Sequence, residues 1–290
     1  MDIVTQALLG ATLAQSAARK AEIKYAAMIG AASGVLADAD ILIQSPTDSL
    51  LTIEFHRHFS HALIFIPIGG LLAALLLWPL LRQRLGFARI YLYAVLGYSL
   101  SGLLDACTSY GTHLLWPFSD ERIAWHIISI IDPVFTLVLL LAVIFTLHRR
   151  APRVARSGLA VAGLYLLLGV VQLQRAESVA QELAAARGHE LEQLVVKPTL
   201  GNLLLWRSIY QAQGIYYIDA VRVGLGNRRS YAGESIPRFD MAQLAVVPAP
   251  DSVLAQDLQR FAAFSDGYIA LHPQRQDVLG DVRCCHHVAL

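Results

Sequence analysis

The sequence predicts an α-helical polytopic membrane domain of about six helices, some short or partly embedded, over residues 1–174. A small α+β soluble domain over 175–290 follows it. Three observations predict this. Apolar runs of membrane-spanning length fill the first half, ten Lys and Arg residues sit in three gaps between those runs, and the chain after about residue 175 turns polar with short β-rich stretches. Bulk composition agrees. With 56% hydrophobic and 16% charged residues and a mean hydropathy of +0.50, the chain is too apolar for an ordinary soluble protein and too polar to lie wholly in a bilayer.

The elements follow in order. Thr5–Ala18 and Tyr25–Ile43 are rich in Ala and Gly, which favours close helix packing over lipid exposure. Ala62–Leu81 is one uninterrupted apolar run of the roughly 20 residues a span needs. Arg89–Leu104 and Ser157–Leu173 are shorter spans. Ile127–Leu147 is another, with Asp132-Pro133 in its first turns, where proline is best tolerated. Gln174–Leu194 has helix-forming composition and ends before Lys197-Pro198. Leu203–Tyr210 and Ile215–Val223 are β-rich runs joined through Gln211-Ala212-Gln213-Gly214, a hairpin signal, and 266–270 with 277–283 suggest a second strand pair. Asp2 follows Met1 where a cleavable signal would carry a basic segment, so the N-terminus is expected to be retained.

Charge sets the expected topology. The basic gaps are Arg19, Lys20 and Lys24; Arg82, Arg84 and Arg89; and Arg149, Arg150, Arg153 and Arg156. The opposite loops hold only Arg57 and Arg122 as cations. Basic loops stay cytoplasmic, so the opposite face and the tail are expected to be extracytoplasmic. A net charge of +1, with no basic run interleaved with aromatics, gives no reason to propose nucleic acid as a partner; the bilayer is the expected one. The three cysteines form no CxxC pair or disulfide framework.

The opposite loops are also where the chemistry gathers. Asp2 starts the first run, Asp38 and Asp40 end the second, His56, His58 and His61 precede or open the third, Asp105 ends the fourth and Asp132 begins the fifth. A mid-bilayer ionisable group costs roughly 2.5–3.5 kcal/mol on insertion scales, so several near one face need partners, water or a metal. Carboxylate and imidazole are the usual ligands of zinc and related divalent ions. Spacing leaves choices open. His56 and His61, five apart, do not share a face of a regular helix, whereas His58 and His61 do. Asp38 and Asp40, two apart, suit an unwound helix end.

Met1-Asp2-x-x-Thr5-Gln6, Leu36-Ala37-Asp38-Ala39-Asp40, His56-Arg57-His58-Phe59-Ser60-His61 and Asp105-Ala106-Cys107-Thr108-Ser109-Tyr110-Gly111-Thr112 resemble the YdjM-type family of inner-membrane proteins, regarded as metal-dependent hydrolases. Trp116-Pro117-Phe118-Ser119 and Ile131-Asp132-Pro133 extend the resemblance over the membrane half. Pro198–Tyr217 and Phe264–Leu271 are similar to the tail of longer members. The family usually has Pro where Ala37 stands, and many members have His where Gln6 stands. The family pattern implies the outer histidines of the motif, His56 and His61, over His58. A more distant similarity, in the order of ligands, is to zinc-dependent phospholipase C enzymes and favours phosphoester hydrolysis.

The expected function is that of a membrane-bound hydrolase acting on a phosphoester or lipid-linked substrate through a water activated by a divalent metal, expected to be zinc. His56, His61, Asp40, Asp105 and Asp2 are the metal candidates, and Asp38 can complete the shell or orient an imidazole. Arg57, a cation between two histidines, suits an anionic substrate. Each has a structural reading too. Asp2 and Asp132 can serve as helix caps, Asp38 and Asp40 as solvated loop acids, and His58, His113 and His126 as packing residues. Thr108, Tyr110 and Thr112 suit loop orientation, and Cys284-Cys285-His286-His287 reads as incidental. The alternatives are a metal- or proton-coupled transporter, which would place its Asp and His at mid-span, and a metal-stabilised scaffold presenting the tail as a binding module.

Overall fold

The computed structural model describes residues 1–224, 226–240, 249, 251–273, 275–283 and 287–289. The chain forms two units. The first comprises Met1–Ser45, Phe55–Leu173 and Lys197–Leu203, the second Pro46–Glu54, Gln174–Val196 and Leu204–Leu290.

The first unit is helical. Asp2 caps α1 (Ile3–Ser16) by accepting from the Val4 and Thr5 amides, and α2 (Ile23–Leu36) passes into a tight 3-10 turn, Ala37–Leu42. After α3 (Leu51–Phe55), whose residues through Glu54 belong to the second unit, and two 3-10 turns, Phe59–His61 and Leu63–Phe65, come α4 (Ile66–Leu81), α5 (Phe87–Ser99) and α6 (Ser101–Ala106). Helix α7 (Pro133–Arg149) starts six residues later than the apolar run that predicts it. Asp132 is extended and caps it, as the residue before a proline is biased to be. Helix α8 (Pro152–Ala186) runs unbroken through the two segments read from sequence as separate helices. Gly188, at φ +72°, terminates it, with its amide on the Ala185 carbonyl.

Among the described residues, four helical stretches are long and apolar enough to cross a membrane: Ile23–Leu42, Leu63–Leu81, Phe87–Ala106 and Pro152–Ala186. The shorter Pro133–Arg149 is also apolar. Leu71, Leu72, Leu75, Leu76 and Leu80 on α4, and Leu164, Leu167 and Leu168 on α8, are exposed, as a lipid-facing surface requires. Small residues let the first helices touch. A Cβ on Gly97 of α5 would meet the Gly30 carbonyl oxygen of α2 at 2.5 Å, and Gly30 lies equally tight against Gly10 of α1. The core between them holds Ile23, Ile29, Ile90 and Tyr93, and a second cluster gathers Leu9, Ile128, Phe135 and Leu139.

The second unit is α+β. Strands β1 (Gln193–Pro198), β2 (Leu205–Ala212), β3 (Ile215–Val223) and β4 (Arg228–Pro237) form one sheet in sequential order. The predicted β2–β3 hairpin closes through Gln213-Gly214, both at positive φ, the geometry of a tight two-residue turn. Helix α9 (Val253–Phe264), capped by Ser252, precedes a three-stranded sheet of β5 (Ile269–His272), β6 (Arg275–Asp281) and β7 (His287–Ala289). The segment Gln193–Lys197 is strand where sequence suggests the end of a helix. Pro46–Glu54 belongs to this unit. Leu50 is buried with Leu258, Phe261, Ile269 and Leu279, and Ile53 packs on them. Arg260 forks between Glu54 at 2.6 and 2.8 Å and Asp48 at 2.9 and 3.2 Å.

Candidate metal centre

Three chain segments meet at one point of the first unit. Helix α6 approaches the Phe59–His61 turn closely because Gly102 has no Cβ, which would otherwise strike the His61 carbonyl oxygen. One turn further along α6, the buried Asp105 carboxylate puts Oδ2 3.0 Å from His61 Nε2, and Asp38 Oδ1, from the 3-10 turn after α2, lies 3.3 Å from the same nitrogen. Ligand atoms of Asp38, His61 and Asp105 all fall within 4.8 Å of one another. Asp38 Oδ1, His61 Nε2 and Asp105 Oδ2 are all buried without a hydrogen-bond partner. Unsatisfied buried atoms are costly, and two carboxylates with one imidazole are a donor set for a divalent cation, so these residues fit a metal ion.

The imidazole is oriented from behind. Ser60 Oγ donates to Asp40 Oδ2 at 2.5 Å and lies 2.9 Å from His61 Nδ1. A hydroxyl whose proton is on Asp40 has only lone pairs left for Nδ1, so Nδ1 carries a proton, and in the neutral ring Nε2, which faces Asp38 and Asp105, is the atom left to bind a metal. Asp40 is fully engaged. It also accepts the Arg57 amide at 2.7 Å, and its Oδ1 lies 2.9 Å from His56 Nδ1. Asp38 and Asp40 take different places because three residues per turn send positions two apart to different sides.

Arg57 sits at φ +62°, a left-handed conformation seldom adopted outside glycine, Asn and Asp. Its backbone is held at both ends, the amide by Asp40 and the carbonyl by Thr112 Oγ1 at 3.0 Å and the His113 amide. The guanidinium lies over the Tyr110 ring, 4.9 Å from its centroid, with Nε 3.4 Å from Asp105 Oδ2. Burial pushes its pKa below the ordinary value, opposed by the charges of Asp38, Tyr110 and Asp40. Thr108 Oγ1 donates to the Asp105 carbonyl, so the loop after α6 is tied by its hydroxyls.

The other sequence candidates lie elsewhere. The Asp2 carboxylate is taken up by the Val4 and Thr5 amides and the Thr5 hydroxyl. Asp132 caps α7 and accepts from Tyr165. His58 packs 4.5 Å from His113, centroid to centroid, and against Trp116. Cys284, Cys285 and His286 lie outside the described residues. Sequence reasoning assigned no role to Ser60 or to Tyr98, whose hydroxyl donates to the Ser60 carbonyl at 2.7 Å. Ser60 stood inside the His-rich motif, whereas nothing local marked Tyr98.

Comparison with known proteins bears on the same residues. Positions 1–176, which carry every group of this centre, match the family described as YdjM inner membrane protein. The chain belongs to that family. This agrees with the apolar helices in assigning the YdjM half to a membrane. A relative from Bacillus subtilis (strain 168), described as uncharacterized protein YfhP, is 23% identical over 227 residues, covering 75% of this chain and 67% of the relative. No solved structure matches the chain.

Proposed function

We propose that this YdjM-family protein is a membrane-bound, metal-dependent hydrolase acting on a phosphoester. The observation that carries the reading is the convergence of three buried ligand atoms, Asp38 Oδ1, His61 Nε2 and Asp105 Oδ2, that face one another. These three residues would hold the ion, with zinc the first choice for a site containing imidazole. When bound, such an ion supplies Lewis acidity and lowers the pKa of a water it holds. Arg57 binds and orients an anionic phosphoryl oxygen, its position set by Tyr110 and Thr108. Asp40 and Ser60 keep the His61 ring in one tautomer, and His56 buttresses Asp40.

Placement at segment ends favours hydrolysis over transport. Asp38 and Asp105 lie at the last turns of two candidate spans and His61 just before a third, at one face and not at mid-span. The ten-to-two distribution of cations supports putting this face and the tail outside the cytoplasm. The deciding experiment is elemental analysis of detergent-purified protein, followed by hydrolysis assays over a panel of phospholipids with and without EDTA. Stoichiometric metal with chelator-sensitive turnover is expected; metal-free protein, or turnover indifferent to EDTA, overturns the reading.

A further inference from the structure

A groove of about 210 Å³ lies on the other side of the same two turns. Leu36, Ile43, Phe59, Phe65, Leu72 and Tyr98 line it, together with the exposed Ala39 and the buried Asp40 and Ser60. The polar groups of Asp40 and Ser60 already have partners. Asp40 is taken up by His56, the Arg57 amide and Ser60, and the Ser60 carbonyl by Tyr98. A ligand here therefore meets chiefly apolar side chains. The size suits a hydrocarbon chain: a closed cavity of about 150 Å³ with such a lining holds benzene. The aromatic walls abut one another, Phe59 to Phe65 at 5.5 Å and Phe65 to Tyr98 at 6.3 Å between centroids.

Its surroundings say which medium supplies the chain. Leu36 and Leu72 belong to two stretches long and apolar enough to span a membrane. Leu72 is itself exposed, in an i, i+4 row with the exposed Ile68 and Leu76, so the rim continues the lipid-facing surface of α4. The groove is also one residue from the metal candidates on two separate segments. Asp38 joins the converging trio while Ala39 and Asp40 line the groove, and His61 joins the trio while Ser60 lines the groove.

We propose that this groove seats one hydrocarbon chain of a bilayer lipid, and that the substrate is an acyl-chain phosphoester whose polar end reaches Arg57 and the Asp38–His61–Asp105 group. The assignment of the lipid as substrate rests on the hydrolase reading; occupancy of the groove does not.

The test uses full-length protein in nanodiscs of phosphatidylethanolamine and phosphatidylglycerol, with a small fraction of phosphatidylglycerol carrying a diazirine in one acyl chain. After irradiation and digestion, mass spectrometry should find adducts on the half-buried Phe59 and Phe65, in EDTA-treated protein as well. Ala39→Trp and Leu72→Trp, each at the lining of the groove, should remove most of those adducts, because an indole fills the volume the chain would take. Adducts on the exposed Leu164 of α8 should be unchanged, and they show which variant is intact. Adducts confined to exposed positions such as Leu164, or undiminished at Phe59 and Phe65 in an intact Trp variant, overturn the groove. Groove labelling in a protein that hydrolyses no phospholipid keeps the lipid site and removes its assignment as substrate.

Discussion

Ser60→Ala isolates the orientation of His61 from ligation itself. The substitution deletes one hydroxyl that spans two partners, Asp40 Oδ2 at 2.5 Å and His61 Nδ1 at 2.9 Å, at a buried position. The first is a hydrogen bond to a carboxylate, so stability should fall by about 1.5–3 kcal/mol. The consequence at the centre is separate. Without the hydroxyl, Nδ1 must turn its proton to Asp40 Oδ2, 3.3 Å away, and a weaker bond then fixes the tautomer. Loss of such an orienting partner costs about 10–100-fold in metal affinity. Competition against a chromogenic chelator, on detergent-purified protein with zinc, reads this directly. His61→Ala should abolish binding, and His58→Ala, whose ring packs on His113 and Trp116, should stay near wild type. If Ser60→Ala binds zinc as tightly as the parent protein while His61→Ala does not, the hydroxyl does not set the imidazole and the argument from tautomer is refuted.

Further expectations follow from the same geometry. Arg57→Lys keeps a cation but loses the planar fork over Tyr110, so zinc affinity should hold while kcat/KM on an anionic phosphoester falls about tenfold or more, measured by steady-state kinetics. Gly97→Ala should destabilise the protein by about 1–3 kcal/mol, seen as a lower melting temperature, because its Cβ meets the Gly30 carbonyl oxygen at 2.5 Å. Burial lowers the pKa of both His58 and His113 below the ordinary 6.5. The folded protein therefore binds fewer protons there than the unfolded chain, so stability is fullest above about pH 6.5 and declines as pH falls below it. His113→Phe should flatten that decline in thermal melts taken across this range.

The helical half and the β2–β3 hairpin were legible in the sequence because each rests on local signals: long apolar runs, basic gaps, and a glycine at the turn. Helix α9 carried its own signal, Ser252 before apolar Leu254, Leu258 and Phe261 at helical spacing, in a tail read chiefly for strands. The centre was legible as a set of residues and less so as an arrangement. Sequence ranked Asp40 and His56 with the ligands and left Asp38 to complete the shell; the structure puts Asp38 beside Asp105 at His61 Nε2 and Asp40 on the Nδ1 side. Only the pitch of the Ala37–Leu42 turn decides which acid faces which nitrogen. The contribution of Gly102 was equally hidden, since the neighbour that demands a glycine there is the His61 carbonyl, 41 positions earlier in the chain.

The membership of Pro46–Glu54 in the second unit bears on how the chain comes to be built. Glu54 and Arg260 stand 206 positions apart, so at about 5–20 residues per second the ribosome needs some 10–40 s after making Glu54 to make its partner. Through that interval Leu50 and Ile53 have no α9 to pack against, and the Asp48 and Glu54 carboxylates have no guanidinium. A fragment cut at residue 175 inherits the reverse defect: a gap where Leu50 belongs and an Arg260 left with Asp257 alone of its three carboxylates. Such a fragment should solubilise poorly by itself and recover when a peptide spanning 46–54 is supplied in trans, which makes this stretch a split-protein complement encoded in the middle of its own chain.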